Sequence, residues 1–187
     1  LLYRTELGPD DGAPPDVEAL VEMTAHEKAQ ALSYLILDGP PDQALRDAAD
    51  KGELASTEQV AAQARRLLAR PETAPGVEKI FAQLLRLSEV PIIRKTKVNF
   101  PTFSLAVGLD LAEETRRFVR HVLWQDGGKL PTLLTASYSI VNRRLADYYR
   151  VTTTTDDWAR VEFPAGRRMG VLTHGGLMGL LANEIET

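Results

Sequence analysis

The chain has 187 residues, 44% of them hydrophobic and 26% charged, enough apolar material for one domain or two small ones and too much for wholesale disorder. It contains no cysteine, which excludes disulfides, thiolate metal sites, iron–sulfur clusters, a cysteine nucleophile and covalently attached haem c within it. The net charge is −4, but residues 1–58 balance at 4 − 13 = −9 and residues 59–187 at 18 − 13 = +5. Such a split either steers a partner or lets two halves of one fold attract each other. Apolar runs such as Leu35-Ile36-Leu37 are far too short to cross a bilayer.

In chain order, residues 1–23 read as a leader loop, because Gly8-Pro9-Asp10-Asp11-Gly12 and Pro14-Pro15 are turn chemistry. Thr24-Ala25-His26-Glu27 has capping-box form and opens a helix bearing Ala31, Leu32, Leu35 and Ile36, stopped by Gly39-Pro40-Pro41. Asp42 caps a second helix with Leu45, Ala48 and Ala49 on its apolar face. Ser56-Thr57-Glu58-Gln59 repeats the capping pattern before the Val60, Ala64, Leu67, Leu68 stripe. A fourth helix starts near Pro75 and carries Val77, Ile80, Phe81, Leu84 and Leu85. Residues 91–101 are extended or irregular and basic.

The longest helix is predicted from Phe103 to Trp124. Val107, Leu111, Phe118 and Val122 form its apolar side, and Glu113, Glu114, Arg116, Arg117 and Arg120 fall mostly outside that stripe. Gly108 should weaken its first turns by about 1 kcal/mol relative to alanine. A single turn or short helix over residues 129–135 follows, then a helix capped by Asn142 and running to Arg150. Residues 158–163 alternate at period two, as a half-buried strand does. Residues 169–173 either return as a second strand or lead into a last apolar helix around residues 177–182. The predicted class is mainly α, a multi-helix bundle-like assembly with a small β element near the C-terminus, and no internal repeat is visible.

No motif names a reaction. His26-Glu27-Lys28-Ala29-Gln30 begins like a zinc-protease helix, but Gln30 stands where the second histidine belongs. Thr173-His174-Gly175-Gly176 has the form of an esterase oxyanion loop without a Gly-x-Ser-x-Gly partner. Glu113 and Glu114 are adjacent, so on a helix they point about 100° apart and cannot flank one bond. The stretch from Arg86 to Lys97 holds Arg86, Arg94, Lys95 and Lys97 against one acidic residue, a candidate interaction surface for phosphate, an acidic partner, anionic lipid or the acidic first 58 residues. The pI near 5.5 and the lack of interleaved aromatics argue against nucleic acid. Tyr148 and Tyr149 read as packing residues with a hydroxyl reaching a partner.

Several segments together resemble a known pair of domains: Leu1-Leu2-Tyr3-Arg4-Thr5-Glu6, Thr24 with Ala31-Leu32-Ser33-Tyr34-Leu35, and Pro41-Asp42-x-x-Leu45. To these add Gln63-Ala64-Arg65-Arg66-Leu67-Leu68, Glu114-Thr115 with Phe118, Asn142-Arg143-Arg144-Leu145-Ala146-x-x-Tyr149 and Arg168-x-Gly170-Val171-Leu172-Thr173. In that order they resemble a tandem of domains of unknown function found in large cytochrome-c-associated proteins of planctomycetes and myxobacteria. Phe103-Ser104-Leu105-Ala106-Val107-Gly108-Leu109 departs from the acidic helix start of that tandem, and Gly175-Gly176-Leu177-Met178 from its usual polar stretch.

The resemblance implies a first unit over residues 24–128 and a partial second unit over 129–187, joined near 126–135. The chain then reads as a segment of a longer protein, continuing past Thr187. The resemblance also implies an exported, periplasmic or cell-envelope protein and a non-catalytic helical accessory or interaction module. Its partners would be other domains of the same protein, a haem-c domain among them, with no cofactor bound within this chain. The alternative is part of a redox enzyme or electron-transfer protein whose haem lies in another segment. His174, Met169 and His121 are then the candidate cofactor-binding residues, since imidazole and thioether both suit an axial position.

Overall fold

A computed structural model describes residues 22–164 and 166–182; the leader loop through residue 21 and the last five residues lie outside the described part. The chain divides into two compact units, residues 1–77 and 78–187. Among the described residues it is mainly α-helical with a two-stranded antiparallel sheet towards the C-terminus, the class that the sequence implies.

In the first unit, α1 (Ala25–Leu37), α2 (Gln43–Asp50) and α3 (Thr57–Leu68) begin at their predicted caps. The Thr24 hydroxyl accepts from the Glu27 amide while the Glu27 carboxylate accepts from the Thr24 amide. Ser56 and Gln59 do the same for α3, so orphan donors are satisfied in reciprocal pairs. Asp42 caps α2 by accepting from the Leu45 amide at 2.9 Å. These starts aim Ala29, Ile36, Leu45, Ala48, Leu54 and Leu67 into one core. A 3-10 turn, Pro71–Thr73, leads into α4 (Ala74–Leu84), which spans the boundary of the two units. Gly76 sits hard against α1: a Cβ there would lie 2.4 Å from the Ile36 carbonyl oxygen.

The second unit is organised on α5 (Leu105–Trp124), capped by the Ser104 hydroxyl on the Val107 amide. Val107, Leu111, Phe118, Val119 and Val122 are buried along it, and the 3-10 turn Val90–Ile92 packs against its first turns. Gly108 is there for contact, since a Cβ would lie 2.9 Å from Pro91 Cα. The short α6 (Leu130–Thr135) and α7 (Arg143–Tyr149, capped by Asn142) follow the predicted spans, with β1 (Tyr138–Val141) between them. β1 pairs with β2 (Ala159–Glu162) in the register Tyr138↔Glu162 to Val141↔Ala159. Val161 and Phe163 are buried while Arg160 and Glu162 face solvent, the alternation read from the sequence. A 3-10 turn, Val171–Thr173, then leads into α8 (Gly175–Leu181).

Of the two readings of residues 169–173, the lead into a last helix is the one seen: residues 171–173 form a 3-10 turn before α8, and the strand that pairs with residues 159–162 lies upstream, in β1. One expectation needs correction. Glu114 is not outside the buried stripe of α5 but fully buried. It stands three residues after Leu111 and four before Phe118, so helix geometry places it on their face whatever its charge.

Candidate functional site

Within the second unit, polar side chains meet inside the apolar core beside the middle of α5. The Glu114 carboxylate accepts a 2.5 Å hydrogen bond from the Tyr149 hydroxyl of α7, and that hydroxyl accepts from the Gly175 amide at 3.3 Å. Burial pushes the Glu114 carboxyl up to about 7, against the Tyr149 hydroxyl, the Arg168 charge and the Ser139 hydroxyl, which hold it down. Neither Glu114 Oε1 nor Ser139 Oγ completes a hydrogen bond among the described residues. Burial, and then the Glu114 charge, raise Tyr149 well above the ordinary phenol range. Arg168 lies over the Tyr149 ring at 3.9 Å and donates to the Thr173 carbonyl at 2.7 Å.

One residue along α5, the Thr115 hydroxyl donates to the Leu111 carbonyl at 3.3 Å and lies 3.0 Å from His174 Nδ1. Thr115 is thus the hydrogen-bond partner of the His174 ring inside the core. Burial, then the Arg168 charge, push His174 down to about 3. The ring packs edge-on against Phe118 at 4.7 Å, and Nε2 has no hydrogen-bond partner among the described residues.

The Tyr149 side of this cluster forms the wall of an open cleft of about 680 Å³. The segment 95–103 lies on one side; the end of α7, the turn after β2 and the start of α8 complete the lining. Lys95, Arg150, Arg167 and Arg168 line it together with five aromatic rings, and no carboxylate among the described residues does.

The predicted site residues fall in separate surroundings. His174 is inside the core, Met169 is half-exposed, and His121 lies 3.7 Å from Asp126 and edge-on to Tyr138. Among the described residues, no group of three or more histidine, aspartate or glutamate side chains is placed to hold a metal ion. The basic stretch also divides. Arg86 pairs with Glu89, Lys97 donates to the Phe103 carbonyl, and Lys95 lies 5.1 Å from the Phe100 ring. Arg94 is exposed.

Sequence reasoning missed Glu114, Thr115 and Arg168 as one constellation, although the expected packing role of Tyr149 matches what is seen. A signal was present: Glu114-Thr115 with Phe118, Tyr149, and Arg168 to Thr173 each carry part of the family resemblance, and these segments converge on one cluster. No curated protein and no solved structure matches the chain. A family model described as Protein of unknown function (DUF1592) matches residues 23–151, more than half of the chain, and the chain therefore belongs to that family.

Proposed function

We propose that the chain is a helical accessory module in a longer, exported, haem-c-bearing protein of the tandem kind that its motifs resemble, with the two domains of that tandem, as distinct from the compact units 1–77 and 78–187, joined near residues 126–135. Its task is to hold another domain of that protein, the haem-c domain, against the segment 92–98. The observation that carries this reading is the mixed apolar and basic character of that segment. Ile92 is 73% exposed and Val98 90% exposed on either side of the exposed Arg94. The backbone beneath Ile92 is fixed by Val90, which is fully buried, and by the close approach of Pro91 to Gly108. Exposed apolar side chains on a fixed backing bury area in an interface without ordering a loop first.

The test has two parts. The full parent sequence should contain Cys-x-x-Cys-His; a parent without it removes the haem-c partner from the proposal. Association of this chain with the separately produced haem-c domain should weaken by roughly tenfold or more in an Ile92→Ser/Arg94→Glu/Val98→Ser variant, which corresponds to about 1.4 kcal/mol. Equal association of variant and parent chain would show that this segment is not the interface.

A further inference from the structure

We propose that the cleft beside Tyr149 is a binding site for a small organic anion: a carboxylate or phosphate carried on a flat aromatic body. The inference rests on reading the chain as a binding rather than a catalytic module, and assigns that module a ligand site that shares only Lys95 with the segment 92–98.

Charge comes first. Lys95, Arg150, Arg167 and Arg168 reach the cleft from three different stretches of chain, and no carboxylate among the described residues lines it. Elsewhere in the second unit most arginines have acidic partners, Arg120 with Glu78, Arg144 with Asp110 and Arg160 with Glu162 among them, with the exposed Arg94 an exception. The side chains of Arg150 and Arg167 are exposed and form no ion pair or hydrogen bond with any described residue. Cations gathered in a concave, partly apolar wall raise the local concentration of anions, and the guanidinium fork matches an oxyanion.

The body of the ligand follows from the rings. Tyr148, Tyr149 and Phe163 form a continuous aromatic wall, with successive centroids 5.8 Å apart. Arg168 lies over Tyr149 and is 5.2 Å from the Phe163 ring, so its guanidinium is held in place before any ligand arrives. Phe100 and Phe103 line the cleft from the 95–103 segment. Gly175 lets the start of α8 pack directly on this wall, because a Cβ there would lie 2.7 Å from the Tyr149 hydroxyl. A volume of about 680 Å³ is in the range that encloses a compact organic molecule rather than a bare inorganic ion.

The experiment is calorimetric titration of the chain with 2-naphthoate, 2-naphthyl phosphate, naphthalene-2-methanol and inorganic phosphate. At least one of the two aryl anions should bind saturably, one per chain, and weaken as salt rises. The neutral alcohol and inorganic phosphate should each bind roughly tenfold more weakly or not at all. An Arg150→Gln/Arg167→Gln double variant, both sites being exposed, should keep its circular dichroism and lose roughly tenfold in affinity. Arg86→Gln, outside the cleft, should change nothing. No saturable aryl-anion binding, equal binding of the neutral alcohol, or unchanged affinity in the double variant would overturn the proposal. If that happens while the segment 92–98 still governs association with the haem-c domain, the module reading stands and the ligand site falls.

Discussion

Glu114 holds its proton more tightly in the folded chain than in the unfolded one, so its effect on stability runs opposite to that of a salt-bridged carboxylate. Between the ordinary value of 4.5 and about 7, the unfolded chain has released a proton that the folded chain keeps, and stability falls as pH rises through that window. His174 works the other way. Between about 3 and 6.5 the unfolded chain takes up a proton that the buried ring refuses, so stability falls as pH drops through that range. The two slopes oppose each other from 4.5 to 6.5. Glu114→Gln keeps an acceptor for Tyr149, turns its amide towards Ser139 and removes one slope. The variant should therefore gain on the parent chain by about 3 kcal/mol between pH 4 and pH 8, at ~1.4 kcal/mol per unit. Urea unfolding across that range reads it directly, and parallel profiles would contradict the prediction. Glycines offer a second contrast. Gly170 has φ 61° and ψ −171°, and a Cβ there would lie 2.2 Å from the Leu134 carbonyl carbon. Gly170→Ala should cost about 3 kcal/mol or more, because backbone must move. Gly166→Ala, with φ 77° and open space, should cost only ~1–2 kcal/mol in thermal unfolding.

For an element, the clearest case is the start of α2. Asp42 caps the helix and also accepts from Arg66 at 2.7 and 2.9 Å and from Arg70 at 2.6 Å. The Arg66 hydrogen bond, with the Leu45 amide and both arginine charges, outweighs desolvation and brings the carboxyl down to about 2. Asp42 comes from the acidic first stretch and both arginines from the basic remainder, so the charge split is used here for self-attraction. Asp42→Asn should keep the cap and lose the ion pairs, and Asp42→Ala should lose both, costing ~1 kcal/mol more. Amide exchange at Leu45 would separate them, with the faster rate expected in the alanine variant; equal rates would deny the cap its role. The stability that Asp42 adds is lost as pH falls from 3.8 towards 2.

What the sequence disclosed follows from the range of the interactions. Thr24, Asp42, Ser56 and Asn142 were legible as caps because a cap acts within three residues of itself. β1 was not, because four residues with Ser139 buried between Tyr138 and Val141 do not alternate, and their partner lies about twenty residues downstream. The charge of Glu114 points to the surface while its place in the helix, on the face of Leu111 and Phe118, puts it in the core, and the helix decides.

The molecule as a whole carries separate cores. Leu45 is fully buried among Ala29, Ile36, Ala48 and Leu67 in residues 1–77, and Phe118 is fully buried beside Val119, Val122 and Tyr138 in residues 78–187. Leu45→Ala and Phe118→Ala should each cost roughly 3–5 kcal/mol, but not in the same transition. In hydrogen exchange, Leu45→Ala should deprotect α1–α3 while α5 stays slow, and Phe118→Ala should do the reverse. Uniform deprotection by either variant would mean that the two units unfold as one.

The tryptophans make this separation observable. The chain has two, Trp124 at the end of α5 and Trp158 beneath the Arg117 guanidinium at 4.8 Å, and both belong to residues 78–187. Excited at a wavelength that tyrosine does not absorb, the protein emits light from one of its two units alone. Fluorescence thus follows that unit selectively, and far-ultraviolet circular dichroism follows the helices of both, so any gap between the two melting curves belongs to residues 1–77.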